Sequence, residues 1–365
     1  MLNNKAKAMV FEKVGKPFSL TPIDLPQLKT GETLVKVDYA TICTSDLHTF
    51  YGRRCSHTHS VLGHEIIGTV VEIPKKGIKD FYGETIQIGD KITWSVYAHD
   101  FNDPLAKKGI PQKSKNLFKY GHEEISEDHK LNGGFATHCH LKEGSTLFKI
   151  PKNLTHREAS PLNCTHATTA GAIRLSGDLK NKNVLISGVG MLGLSACAMS
   201  KEAGTRNIFA MDIEIDRLKK SKSFGANIVL NATENLETLT NSQKEFGGID
   251  IVIETSGVPS AIENSIKMLN IGGVCILIGS VYSQRDISLN AESIVRNILT
   301  IKGLHNYTHN DLAQAITFLS ENKEKYPFEA LVSKEFSIEQ LDNAFDFADN
   351  EPCYRVGIQT NDLDS

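Results

Sequence analysis

A glycine-rich run, Gly188-Val189-Gly190-Met191-Leu192-Gly193, joins an apolar strand-like segment, Asn183–Ser187, to a helix-forming segment at 194–203. No other feature constrains the fold as strongly. A turn this tight, from a buried strand directly into a helix, needs residues without a Cβ, and it leaves free N–H groups at the helix N-terminus. A pyrophosphate suits such a terminus. The segment therefore reads as a dinucleotide fingerprint, with Gly188, Gly190, Met191, Leu192 and Gly193 as cofactor contacts.

From about residue 166 onward, strands alternate with helices, the pattern of a doubly wound parallel sheet of Rossmann type. The next strand, 207–212, ends in Asp212, whose carboxylate would accept hydrogen bonds from the adenosine ribose and repel a 2′-phosphate. This selects NAD over NADP. Arg217 flanks the same ribose but comes five residues late for a 2′-phosphate clamp. Strands at 249–254 and 273–279 lead to Ser256 and Gly279, small residues at the carboxyl edge of the sheet where a cofactor lies, and 300–304 reads as the closing strand.

Residues 1 to about 165 read instead as short strands between turns, as at 34–40 and 66–73. Their loops carry Cys43-Thr44-Ser45-Asp46-Leu47-His48 and Val61-Leu62-Gly63-His64-Glu65. Cys, His and Glu bind a borderline-soft cation such as zinc, and a catalytic zinc takes three protein ligands and keeps one position open. Cys164, just ahead of the helical run that leads to the fingerprint, is the best third ligand beside Cys43 and His64, and Glu65 is a further candidate.

At 365 residues the chain is too long for one ordinary core, and two domains are expected. A net charge of −3 gives no reason to expect a nucleic-acid or acidic-membrane partner. No apolar run approaches a membrane span, and Met1-Leu2-Asn3-Asn4-Lys5 leads into strand-like sequence rather than an apolar signal core. Seven cysteines without a regular framework suggest reduced thiols and a cytoplasmic location.

In order and spacing, Cys-x-Ser-Asp-x-His, Gly-His-Glu, the later Cys and Gly-x-Gly-x-x-Gly resemble the zinc-containing medium-chain alcohol dehydrogenases over essentially the whole chain. The resemblance implies a GroES-like β-rich catalytic domain at 1–165, a Rossmann NAD-binding domain at 166–306 and a C-terminal return to the catalytic domain at 307–365. It implies a zinc on Cys43, His64 and Cys164, with Glu65 either a direct ligand or an acid behind the ligands. Asp46 would orient the histidine ligand, Ser45 and His48 would relay the substrate proton by way of the cofactor ribose, and Thr168 would hold the nicotinamide face. Relatives are oligomeric through the cofactor-domain sheet, so a homodimer or homotetramer is expected.

Many relatives hold a second, structural zinc on four cysteines. Here those positions fall on Asp100, Asp103, Ala106 and Ser114, so one catalytic zinc per chain and no structural zinc are expected. His138-Cys139-His140 lies in a strand whose alternation prevents all three from converging, and reads as structural. His57, His59 and Cys55 read as solvated loop.

Arg53 and Arg54 follow the relay segment and would suit an anionic substrate. The stretches 49–54, 93–96, 117–122 and 304–307 look like those of a subgroup of these dehydrogenases proposed to act in phosphonate catabolism, with Lys119, Tyr120 and His122 adding polar groups at the same mouth. The expected activity is hydride transfer between NAD and a small alcohol, aldehyde or ketone. The alternatives are a polyol dehydrogenase, whose relatives often use Glu as the third ligand, and a non-enzymatic dinucleotide-binding member, which would be expected to lose ligands or relay.

Overall fold

The computed structural model of the protein describes residues 5–360; the expectation for residues 1–4 lies outside them. The chain divides into two compact units. One runs to Cys164 and takes up Thr308–Glu321 and the chain from Phe328 onward; the other comprises Thr165–Tyr307 and Asn322–Pro327.

The first unit is β-rich because its apolar residues recur at every second position between turns. Strand Thr33–Ile42 pairs antiparallel with Glu65–Glu72, which pairs with Lys91–Ala98. The C-terminal strand Arg355–Gln359 adds to the other side of Thr33–Ile42, bringing the chain end back to this unit. A second, smaller sheet orders Ser19–Asp24, Lys5–Phe11 and Ser60–Val61. Trp94 and Tyr120 are fully buried among Val35, Val37, Ile66 and Leu147. Each such side chain contributes about 1.5–3 kcal/mol when removed from water.

In the second unit six strands run parallel, in the order Ile228–Asn231, Asn207–Asp212, Asn183–Ser187, Ile249–Glu254, Leu269–Leu277 and Thr300–Gly303. The order reverses beside Asn183–Ser187, which makes its carboxyl end the switch point where a crevice for a cofactor opens. The strand at 228–231 went unread in the sequence, because Ile228-Val229-Leu230-Asn231 is too short to show a period. Among the described residues no helix is long and apolar enough to cross a membrane.

The fingerprint helix spans Met191–Glu202, starting three residues earlier than its apolar pattern suggests. Gly193 lies within it, where an added Cβ would sit 2.0 Å from the Gly188 carbonyl oxygen. Gly193→Ala is expected to cost roughly 1–3 kcal/mol of stability through overpacking and to weaken binding of a dinucleotide at the turn. Calorimetry with and without NAD checks both, and an unchanged melting transition would remove the steric account.

Candidate metal centre and dinucleotide site

Strand Thr33–Ile42 delivers Cys43 to the N-cap of the short helix Thr44–Phe50. Asp46, buried in the first turn, accepts the Cys43 backbone N–H through Oδ2 at 2.9 Å, and its Oδ1 lies 3.1 Å from Nδ1 of His64. One carboxylate thus fixes both the Cys43 backbone and the His64 ring. His64 enters from Gly63, whose φ of 87° lies in the left-handed region. Cys164 caps the 3₁₀ turn Ser160–Asn163.

The ligand atoms of Cys43, His64 and Cys164 all lie within 4.8 Å of one another. The Cys164 thiol donates to Cys43 and holds the Cys43 thiol well below its ordinary range, with help from the Arg355 guanidinium and His64. The same hydrogen bond, with burial, pushes Cys164 well up. Burial alone would push His64 down, but the Asp46 carboxylate overrides it and raises the imidazole well above its usual value. Two soft sulfurs, one of them favoured toward the thiolate by its neighbours, and an imidazole oriented by a carboxylate form a donor set that fits zinc.

Glu65 lies beside this group, but its carboxylate is not among the three converging ligand atoms and is engaged by Arg355 and Thr41. Arg355 clamps its carboxylate with Nε to Oε2 at 2.7 Å and Nη2 to Oε1 at 2.9 Å, and Thr41 donates to Oε2 at 2.7 Å. The second guanidinium nitrogen also reaches Sγ of Cys43 at 3.7 Å. Arg355 went unread in the sequence because its partner lies 290 positions away.

Ser45 Oγ lies 3.3 Å from Nε2 of His64. His48, three residues along the same helix, is half-buried, and burial, with Arg53 and Arg54 nearby, pushes its imidazole down. The two arginines have separate fates. Arg53 forms a two-pronged pair with Asp349 at 2.6 Å for each contact. Arg54 donates to Thr49 and lies 3.0 Å from Nδ1 of His122, whose ring is 4.9 Å from that of His64. Tyr120 is buried, with its hydroxyl on Ser145 at 2.6 Å and on the Lys142 N–H at 2.8 Å, so it belongs to the core rather than to a mouth. Lys119 is half-buried and Cys55 exposed. His57 is exposed, and His59 pairs with Glu12 at 3.0 Å.

Among the positions that align with the four cysteines, Asp103 caps the short helix Pro104–Lys107 and accepts the Leu105 N–H at 2.7 Å and the Lys115 N–H at 3.0 Å. Ser114 is buried beside it.

In the second unit, Asp212 accepts the Val189 N–H through Oδ2 at 2.8 Å and the Glu214 N–H through Oδ1 at 3.0 Å. The carboxylate is thereby locked at the mouth of the glycine turn, and each oxygen keeps a lone pair for a ribose hydroxyl. Arg217 reaches back to the same turn, 4.0 Å from where a Cβ on Gly190 would be. Thr255 donates to the Gly188 carbonyl at 2.7 Å, placing Ser256 against the turn, and Gly279 packs on Gly257. Met191 and Leu192 open the fingerprint helix, and Thr168 lies half-buried on the helix Thr165–Ser176.

Residues 29–152 match the alcohol dehydrogenase GroES-like domain family, and residues 191–321 match the zinc-binding dehydrogenase family. An alcohol dehydrogenase of Geobacillus stearothermophilus is 27% identical over 325 residues, 87% of this chain and 90% of that one. A sorbitol dehydrogenase of Halalkalibacterium halodurans is 28% identical over 85% of this chain and 86% of its own. The crystal structure of an alcohol dehydrogenase from Thermotoga maritima superposes with a TM-score of 0.92 at 24% identity, over 97% of this chain and 99% of that one. This chain belongs to the zinc-dependent medium-chain alcohol dehydrogenases. It is accordingly an oxidoreductase acting on CH–OH groups with zinc and a nicotinamide cofactor.

Removing one member of a buried ion pair leaves an uncompensated charge, at a cost of about 3–5 kcal/mol. Arg355→Met is expected to destabilise the β-rich unit by that order, and Arg355→Met with Glu65→Leu to recover most of it. Denaturant titration of the two variants against wild type checks this; equal losses in both would show that the pair is not the cause.

Proposed function

We propose that the chain moves a hydride between NAD and a small alcohol or its carbonyl partner, at a zinc held by Cys43, His64 and Cys164. The observation that carries this reading is the convergence of three ligand atoms within 4.8 Å, with Cys43 favoured as thiolate. When bound there, zinc supplies Lewis acidity that eases removal of a hydroxyl proton, and NAD supplies the hydride acceptor.

The chain's own residues do the rest. Asp46 holds the His64 ring through Nδ1, so that Nε2 faces the two sulfurs' side as a ligand. Ser45 Oγ, 3.3 Å from that nitrogen, stands where it takes up the substrate proton. His48, its imidazole pushed down by burial and by the arginines, would be the solvent-side proton acceptor of the relay that a bound cofactor's ribose would complete. With NAD bound, Asp212 would receive the ribose hydroxyls and oppose a 2′-phosphate, and Arg217, beside Gly190, would line the same end of the cofactor site. Thr168 holds the nicotinamide.

The substrate carries an anionic group, of the hydroxyalkyl- or oxo-phosphonate class. Arg54 supports this, since it reaches His122 next to the His64 ring, whereas the Arg53 charge is spent on Asp349. The chain carries one catalytic zinc and none at the four-cysteine positions, where Asp103 hydrogen bonds hold the backbone. It assembles as a homodimer or homotetramer through the sheet edge at Thr300–Gly303, near which Ile271, Val295 and Ile298 are more than 70% exposed. Seven free cysteines suit the reducing cytoplasm.

His48→Gln is expected to lower kcat for NAD reduction by about 10²-fold at neutral pH, with zinc content retained. For the substrate class, Arg54→Ala should raise KM for hydroxyalkylphosphonates about tenfold, equivalent to ~1.4 kcal/mol, and leave neutral alcohols unaffected; Arg53→Ala should do much less. A panel of neutral alcohols, polyols and hydroxyalkylphosphonates checks this, and turnover confined to the neutral members would overturn the anionic reading.

A further inference from the structure

A second group of ligand-type side chains, sharing no residue with the first, comes together in the same unit. Glu32 precedes strand Thr33–Ile42, His140 lies in strand His138–Leu141 opposite Leu34, and His129 sits on a turn closed by hydrogen bonds between Ser126 and His129. All three are at least 95% buried. Their ligand atoms lie within 4.8 Å of one another. Nε2 of His140 is 3.0 Å from Oε2 of Glu32, and the His129 and His140 rings stack with centroids 4.2 Å apart and planes 10° apart.

Nothing in the dehydrogenase chemistry uses these residues, and their packing leaves one polar atom without a role. Nε2 of His129 is fully buried and has no hydrogen-bond partner among the described residues. An unmet buried ring nitrogen costs about 1–3 kcal/mol, and an imidazole packed flat on a second imidazole does not relieve it. The nearby lysines do not neutralise Glu32 by pairing with it: Lys29 Nζ is bound to Asp128 at 3.0 Å, and Lys142 Nζ sits 5.1 Å over the Phe118 ring. Two imidazoles and one carboxylate whose ligand atoms converge form a ligand set for a first-row divalent cation, with a further position left for water.

We propose that Glu32, His129 and His140 form a second divalent-cation site, which takes Zn²⁺ and clasps the 126–129 turn to the two paired strands. The site is structural, because its three ligands are buried and no catalytic residue adjoins them. It departs from the expectation of a single zinc per chain, and it differs in place and chemistry from the four-cysteine site of relatives. The His138-Cys139-His140 triplet does fail to converge, since Cys139 turns into the core, yet His140 meets His129 and Glu32 instead. Sequence alternation describes one strand and is silent on what crosses to it.

The test uses the full-length protein loaded with Zn²⁺ or Co²⁺ and freed of loose metal. Wild type should retain two ions per chain. Glu32→Gln, which keeps the shape and the hydrogen bonds, and His129→Ala should each retain one, with dehydrogenase activity and the thiolate–cobalt charge-transfer absorption unchanged. Cys43→Ser combined with Cys164→Ser should also retain one, without that absorption. Equal metal content in wild type and both Glu32→Gln and His129→Ala would overturn the proposal, as would a metal-free cysteine double variant. Loss of the charge-transfer band in wild type would instead count against the catalytic site alone.

Discussion

The buried Arg355–Glu65 pair is the interaction on which the rest of the β-rich unit depends. A guanidinium and a carboxylate removed from water are tolerated only when each is fully bonded, and here three hydrogen bonds on Glu65 and a contact to Cys43 meet that condition. The pair joins the last strand of the chain to the strand that follows His64. It also places a positive charge beside a sulfur that must be a thiolate to hold a metal. Stability and chemistry therefore share one guanidinium.

Asp46 has an equivalent role at shorter range. Because it binds the Cys43 backbone and the His64 ring together, the separation of Cys43 and His64 is set by a single side chain rather than by two independent loops. The turn at Gly63 is the local requirement that lets the strand enter at that angle. In the parallel-sheet unit, Asp212 performs a comparable service, tying the strand end to the glycine turn through Val189 before any cofactor arrives.

The two metal-type clusters illustrate different ways in which a sheet gathers ligands. Cys43, His64 and Cys164 come from strand ends and a helical turn, where a site can stay open to substrate. Glu32, His129 and His140 come from within the packed region, where a cation can only hold elements together. Cys164 in the first cluster is only half-buried, whereas Glu32, His129 and His140 are all buried.

The sequence by itself determined the alternation of strand and helix after residue 166, the glycine turn and the β-rich character of the first part, because these follow from local periodicity and from backbone conformations that glycine adopts readily. The ligand-type residues Cys43, His64 and Cys164 were legible through motif spacing. Only the tertiary structure decided which charges face one another: Glu65 toward Arg355, Arg53 toward Asp349, Arg54 toward His122, and His140 toward Glu32 and His129. Those pairings cross tens to hundreds of residues, and sequence periodicity, which reports which face of an element is buried, carries no information about the partner on the other side.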